Sequence, residues 1–212
     1  IGIYGNVYIS SSIQAIINSA HSNSIINLVN LNQSCFVSAS SDSAIKIWSS
    51  LNGNLLETRN VHSSSPITFV EVLQDGRIFS ADNTNSLKLH TSASNVNTIS
   101  ALHSNFRCSK QFNNNLIIFG FQDGCLHMRN LNNNENNKVQ LSAHSQVNNI
   151  DKIDNNLFFT SSASNSLIKV WRGSNMILDR TINLGSNINC IYSIYLRQNL
   201  IAAFINDRTI RI

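Results

Sequence analysis

The chain has 212 residues, a length that suits one large all-β domain as well as an ordinary domain. Apolar residues make up 42% of it, which allows a sizeable core, whereas Asn and Ser supply 34 and 32 residues. The net charge of +4 comes from scattered lysines and arginines, and this disfavours a nucleic-acid-binding patch. No apolar run is long enough for a transmembrane helix, so we expect no membrane span.

The cysteines predict free thiols. None of the four forms a CxxC pair, and no histidine lies at zinc-ligand spacing from two of them. Free thiols are typical of a reducing compartment, so we expect an intracellular protein, cytoplasmic or nuclear. The chain begins with Ile1 and stops in a strand-like run at Ile212, and we interpret it as a fragment.

Four histidines define a period. His21, His62, His103 and His144 are each separated by 41 residues. Such self-similarity is the signature of a repeat architecture. The period divides one domain, 1–212, into repeats of roughly 1–20, 21–61, 62–102, 103–143, 144–184 and 185–212.

Short strands fill each period. In the first period the apolar runs are Ile25–Asn30, Cys35–Ala39, Ala44–Trp48 and Asn54–Arg59, separated by turn-forming Asn, Ser, Asp and Gly. Four strands per period predict a β-propeller blade. An Asn-rich β-solenoid is the structural rival, but its coils would repeat at roughly 20–30 residues, and no such period is present.

Similar blocks recur along the chain, in the order FVSASSDSAIKIW (Phe36 to Trp48), IFSADNTNSLKLH (Ile78 to His90), IFGFQDGCLHMR (Ile118 to Arg129), FTSSASNSLIKVW (Phe159 to Trp171) and AAFINDRTIRI (Ala202 to Ile212). These blocks resemble the WD-repeat β-propeller family, whose repeat of about 40–45 residues has Gly-His near its start and Trp-Asp near its end. Here no Gly precedes the repeat histidines, and no Asp follows the tryptophans. The resemblance implies an all-β propeller of four-stranded antiparallel blades. About five blade equivalents are present, and we expect them to belong to a ring of seven.

The resemblance also implies a buried polar network in each blade, in which a turn carboxylate, an imidazole, a hydroxyl and an indole are hydrogen-bonded in series. Burial requires each of these polar groups to be paired. The network positions are His21, Ser38, Asp42 and Trp48 in the first period and His144, Ser161, Asn165 and Trp171 in the fourth. The second period has His62 and Ser80 with Thr84 and His90, and the third has His103 and Asp123 with Phe119 and Arg129. The decayed copies predict that apolar packing replaces the network in several blades.

Relatives of this kind bind proteins or peptides through the top face or the rim of the ring. The resemblance therefore implies a non-catalytic interaction scaffold or an adaptor subunit of a multiprotein complex. The positions expected on the top face are Ser24, Ser41, Asn83, Phe106, Arg107, Gln122, Val147, Ser164 and Asn206. Phe106 and Arg107 are the preferred anchors, because aromatic and arginine side chains dominate interfaces. An RNA-associated propeller subunit of a ribonucleoprotein assembly is the alternative.

No residue pattern predicts catalysis, a metal or a cofactor. There is no GxSxG elbow, P-loop or HExxH motif. The four periodic histidines would lie in separate blades of a propeller and could not converge on one ion. Asp151 and Asp154 are the closest acids, and we assign them to a strand and a turn, outside any network. The chain is therefore not expected to be an enzyme.

Overall fold

Strands are the only regular elements in the part of the chain that the structure, a computed structural model, describes. The described residues are 7–9, 15–92, 94–99, 105–132, 136–140, 143–173, 175–185, 190–197, 200–205 and 209–212. Among them is no helix long and apolar enough to cross a bilayer. The prediction of an all-β fold with four-stranded antiparallel blades is confirmed. The number of blades in an intact ring stays a prediction.

The first of two compact units comprises Ile1–Ala101. It begins with a hairpin of β1 (Val7–Ile9) and β2 (Ala15–Ile17). The first blade contains β3 (Ile25–Asn30), β4 (Cys35–Ser40), β5 (Ala44–Ser49) and β6 (Leu55–Asn60). The second contains β7 (Ile67–Val72), β8 (Ile78–Asp82), β9 (Leu87–His90) and β10 (Val96–Ile99). The strands of the first blade agree with the predicted runs to within one residue at each end.

The second unit comprises Leu102–Ile212. The third blade contains β11 (Phe106–Asn113), β12 (Leu116–Phe121), β13 (Leu126–Asn130) and β14 (Asn136–Gln140). The fourth contains β15 (Asn149–Lys152), β16 (Leu157–Ser161), β17 (Leu167–Arg172) and β18 (Ile177–Asn183). The fifth sheet contains β19 (Cys190–Arg197), β20 (Leu200–Ile205) and β21 (Ile210–Arg211). In both units, consecutive strands of a sheet pair in antiparallel register.

The core lies between the faces of neighbouring sheets in each unit. Period-two alternation directs every second side chain of a strand to one face. In the first unit, Val37 and Ile45 of the first blade pack against Ile67 of the second. In the second unit, Phe112 of the third blade packs edge-on against Phe158 of the fourth. Full burial of such a side chain contributes roughly 1.5–3 kcal/mol.

A glycine in the β12–β13 turn allows two blades of the second unit to approach closely. Gly124 has a φ of +82°, and an added Cβ would lie 1.8 Å from the carbonyl oxygen of His144. The amide of Ala143 donates to the Gly124 carbonyl at 2.9 Å. The loop that leads into the fourth blade is therefore fastened to the third blade through backbone atoms.

Asp151 corrects a sequence expectation, because it does take part in a polar network. Its Oδ1 lies 2.8 Å from Lys110 Nζ on β11, and its Oδ2 accepts a hydrogen bond from the Tyr195 amide on β19 at 3.0 Å. Asp151 itself lies on β15, so its carboxylate connects three sheets of the second unit. Asp154 lies in the β15–β16 turn, as expected, and accepts hydrogen bonds from two amides of that turn.

Candidate functional site

The first blade holds four hydrogen-bonded side chains in series. Trp48 on β5 donates from Nε1 to Ser38 Oγ on β4 at 2.8 Å. Ser38 Oγ lies 2.6 Å from His21 Nε2, and His21 Nδ1 lies 2.9 Å from Asp42 Oδ2. Because a carboxylate can only accept, His21 Nδ1 carries the proton and Ser38 donates to Nε2. The series joins the loop before β3 to β4, to β5 and to the turn between them.

Burial and hydrogen bonding together determine the protonation of the pair formed by His21 and Asp42. It lowers the pKa of His21, although the neighbouring carboxylate acts in the opposite direction. Burial alone would raise the pKa of Asp42. Hydrogen bonds from the amides of Ala44 and Ser22 and from the His21 ring outweigh it, so the pKa of Asp42 lies below its usual value. The pair at neutral pH is therefore a carboxylate and a neutral imidazole.

The second blade holds an equivalent network, although its sequence has decayed. His62 Nδ1 lies 2.8 Å from Asp82 Oδ2, and His62 Nε2 lies 2.7 Å from Ser80 Oγ. His90 takes the place of the tryptophan, with Nε2 at 2.7 Å from Ser80 Oγ. The acid is Asp82 at the end of β8, whereas the sequence alignment placed Thr84 in that position. Thr84 instead donates to Asp82 from both its amide and its hydroxyl.

Proton counting assigns the tautomer of His90. Asp82 requires a proton on His62 Nδ1, so Ser80 donates its only hydrogen to His62 Nε2. His90 must then donate from Nε2 to Ser80, as an indole would. Its Nδ1 is left with a buried lone pair that has no hydrogen-bond partner among the described residues. Burial, reinforced by nearby positive charge, lowers the pKa of His90 to about 3.

The fourth blade corrects one predicted residue. Trp171 donates from Nε1 to Thr160 Oγ1 at 2.8 Å, and the same oxygen lies 2.9 Å from His144 Nε2. Ser161, the predicted hydroxyl, accepts instead from Ser193 on β19. The register explains the error. In the first blade Ala39 pairs with Ile45 across the β4–β5 turn. In the fourth blade Ser161 pairs with Ile168 across the β16–β17 turn. The β16–β17 turn therefore contains one residue more than the β4–β5 turn.

The remaining predicted member of the fourth blade makes a long contact. Asn165 Nδ2 lies 3.5 Å from His144 Nδ1, compared with 2.9 Å between the carboxylate and the imidazole of the first blade. Burial, as the largest cause, and the charge of Lys169 lower the pKa of His144 to about 4. In the third blade His103 lies outside the described residues, and Phe119 and Arg129 occupy the hydroxyl and indole positions in sequence.

A lysine on the third strand of three blades joins each network and was missed by the sequence reasoning. Lys46, Lys88 and Lys169 donate from Nζ to the backbone carbonyls of Ala20, Val61 and Ala143, respectively. Each carbonyl belongs to the residue before a repeat histidine. The signal was present in the blocks IKIW, LKLH and IKVW, where a lysine lies two residues before the tryptophan or its replacement.

Most predicted partner positions lie at one end of their sheet. The amides of Ser41, Asn83 and Gln122 donate to backbone carbonyls in the loops before the first strands of their blades, at 2.9–3.0 Å. Asn83, Gln122 and Ser164 are exposed, whereas Ser24 and Ser41 are half-buried. Asn206 lies outside the described residues.

Two of the expected partner positions face other side chains of the protein. Phe106 is half-buried, and its ring packs edge-on against Phe119 and Phe121 of the adjacent strand. Val147 is fully buried in the core of the second unit, so it cannot serve as a contact residue. Arg107, next to Phe106 on β11, is exposed.

The described residues contain no group of three or more His, Cys, Asp or Glu side chains placed to hold a metal ion. The Asp–His–Ser series of the first two blades has the composition of a hydrolytic triad. However, Ser38 and Ser80 are both 0% exposed, and each hydroxyl also accepts from a third-strand ring. These hydroxyls act as structural junctions between strands.

Comparison with known proteins places the first network in a named repeat. A family model described as "WD domain, G-beta repeat" matches residues 12–49, which include His21, Ser38, Asp42 and Trp48. Residues 12–49 therefore match a WD repeat. Among solved structures, the chain is similar to the WD40 beta propeller domain of Doa1, with a TM-score of 0.72 and 17% sequence identity, and this likeness shows the propeller fold.

That likeness covers 90% of the chain and 63% of the Doa1 domain, so the chain spans less than two thirds of that structure's length. No curated protein matches it in sequence. WD40 propellers generally mediate protein–protein interaction or scaffolding and are generally non-catalytic. The recognition from the blocks ending in tryptophan is thus confirmed.

Proposed function

We propose that the protein is a non-catalytic interaction scaffold that binds another protein through the end of the third blade where β11 begins and β12 ends. This β11–β12 end presents the exposed side chains of Asn105, Arg107 and Gln122. The observation that carries the proposal is the fixed backbone beneath them. The Gln122 amide donates to the Asn105 carbonyl at 2.9 Å, and the Val147 amide donates to the Phe121 carbonyl at 2.9 Å.

A fixed backbone favours binding because little loop entropy is lost when a partner docks. Arginine is also among the residue types that most often dominate an interface. Phe106 contributes from beneath, since its ring supports the strand pair that positions Arg107. The burial of the serine hydroxyls in the networks supports a non-catalytic role.

The test is affinity capture with quantitative mass spectrometry, comparing the parent with the double variant Arg107→Ala, Gln122→Ala. Arg197→Ala is the matched control, because Arg197 is an exposed arginine on β19. We expect the double variant to lose a specific set of proteins about tenfold or more and the control to retain it. The proposed surface is wrong if the double variant captures every protein that the parent does.

Nuclease treatment separates this function from the RNA-associated alternative. Direct protein binding should persist after RNase digestion. Loss of all captured proteins after digestion, together with a steep salt dependence of RNA binding, would favour the ribonucleoprotein function instead. Phe106→Ala would not separate binding from folding, because truncating a packed ring lowers stability as well as binding.

A further inference from the structure

A groove at the opposite end of the third and fourth blades has no role in the networks or in the proposed surface. It has a volume of about 510 Å³ and lies within the second unit, beside the β11–β12 and β15–β16 turns. Phe112, Leu116 and Leu157 supply its apolar lining, and the two leucines are half-buried. The proposed partner surface lies at the other end of these strands, where β11 begins and β12 ends. The eight residues of β11 separate the groove from that surface by about 23 Å.

The walls of the groove are fixed by the turns that form them. Asn113 Oδ1 accepts hydrogen bonds from the amides of Asn115 and Leu116, both at 2.9 Å. The amide of Gly173 donates to the Asn156 carbonyl at 2.7 Å. Gly173 also allows close packing, since an added Cβ would lie 1.9 Å from Phe112 Cζ. A ligand would therefore meet a groove that already has its shape.

The polar groups along the groove suit an acidic ligand. Arg172 donates from Nε to Asp179 Oδ1 at 3.1 Å, and its side chain is 64% exposed. Only Nε is used in that contact, so the two terminal nitrogens can pair with a carboxylate. Lys152 Nζ lies 5.7 Å from the centroid of the Phe112 ring and donates to Asn155 Oδ1. Arg180 follows Asp179 on β18, and its side chain is 50% exposed.

The nearby carboxylates cancel part of this positive charge. Asp179 is paired with Arg172 and also lies 3.8 Å from Arg180 Nη1, and Asp154 accepts hydrogen bonds from the amides of Asn156 and Leu157. Three cations and two carboxylates leave one net positive charge around the groove, and the terminal nitrogens of Arg172 are where an acidic side chain can meet it. The exposed side-chain amides of Asn155 and Asn156 add donors and acceptors of the kind that pair with a peptide backbone.

We infer that this groove binds an extended peptide segment of a partner protein, with an apolar side chain against the leucines and a neighbouring Asp or Glu on Arg172. The inference rests on the proposed interaction function and assigns a second surface to it. Bidentate pairing explains why an arginine at the rim would select a carboxylate. Nucleic acid suits the groove less well, because Phe112 is only 2% exposed and cannot stack on a base.

The test uses fluorescein-labelled decapeptides with a central leucine, valine or phenylalanine flanked by glutamates, and matched peptides flanked by lysines. Binding to the full chain is measured by fluorescence anisotropy at about 150 mM salt, where long-range attraction between exposed charges is screened. At least one glutamate-flanked peptide should bind, and no lysine-flanked peptide should. Arg172→Ala should weaken binding about tenfold, whereas the control Arg197→Ala should leave it within about twofold.

Each other outcome overturns the inference. If no glutamate-flanked peptide binds, the groove is not an acidic-peptide site. Equal weakening by Arg172→Ala and Arg197→Ala would indicate unspecific attraction by charge. An oligouridine that binds in place of the peptides and is lost in Arg172→Ala would make the groove a nucleic-acid site. None of these results depends on Arg107 or Gln122, so failure here is distinguishable from failure of the proposed function.

Discussion

Removing the carboxylate of Asp42 should destabilise the first unit by about 2–4 kcal/mol. The His21 side chain is 0% exposed, so Asp42→Ala leaves a buried imidazole N–H without an acceptor. An unpaired buried donor costs roughly 1–3 kcal/mol. The carboxylate also accepts from the Ala44 amide at 3.0 Å, and losing this charge-assisted bond adds to the cost. Asp42→Asn should lie between the parent and Asp42→Ala, because an amide oxygen can still accept.

Urea unfolding followed by tryptophan fluorescence measures this effect. In a Trp171→Phe background, Trp48 is the only tryptophan left and reports on the unit that contains Asp42. Asp75→Ala is the control, because Asp75 is an exposed acid of the same unit that pairs with Arg77 at the surface. Such a pair contributes about 0–1 kcal/mol. Equal losses of unfolding free energy in Asp42→Ala and Asp75→Ala would refute the network as a source of stability.

Three further predictions concern the other blades. The pKa values of about 3 for His90 and about 4 for His144 lie below the ordinary 6.5, so the unfolded chain binds protons first and stability falls as the pH drops from 6.5 towards 3–4. At pH 5 each of these two histidines should lower the unfolding free energy by about 2 kcal/mol. In His90→Trp the part of this loss that is due to His90 should be absent when urea unfolding at pH 5 is compared with unfolding at pH 7.5. Lys169→Met keeps the aliphatic stem but loses the hydrogen bond to the Ala143 carbonyl, the one before His144. It should lower the unfolding free energy by about 1 kcal/mol in the same assay. An unchanged unfolding free energy would show that the lysine does not stabilise the blade. Thr160→Val should lower the unfolding free energy by about 2–4 kcal/mol, because the ring nitrogens of His144 and Trp171 lose their shared partner. The control Thr181→Val, at an exposed position, should change it by no more than about 0.5 kcal/mol. Similar melting temperatures for the two valine variants would exclude the network.

The strand pattern could be predicted because it depends on local alternation and on the spacing of the histidines. Apolar runs such as Ala44–Ser49 have the length of a strand, and Asn- and Ser-rich turns separate them. The network could be predicted fully only in the first blade, where Ser38, Asp42 and Trp48 keep the family spacing. Counting back from Trp171 could not reveal the extra turn residue that moves the hydroxyl from Ser161 to Thr160.

Some site residues could not be found by counting positions along the repeat, because their hydrogen-bonding capacity identifies them instead. Asp82 is the only acid between Ile78 and His90, so the need of His62 for an acceptor already pointed to it. Alignment placed the acid two residues later, at Thr84, and hid that signal. The partner of Asp151 could not be predicted at all, since Lys110 and Tyr195 lie on other sheets and reach it only through three-dimensional packing.

A shared hydroxyl explains why the blades keep the network while their sequences diverge. In three blades one hydroxyl accepts an N–H from a ring on the third strand and lies within 2.9 Å of a repeat histidine. This chemistry requires a hydroxyl and a ring donor, but neither serine nor tryptophan in particular. Threonine can therefore replace serine in the fourth blade, and His90 can replace tryptophan in the second. The replacement by His90 has a physical cost that the tryptophan blades avoid, because the second ring nitrogen is buried without a partner. A family pattern written in residue identities matches best where no such exchange has occurred, and the network of the first blade, whose four residues lie within residues 12–49, is that place.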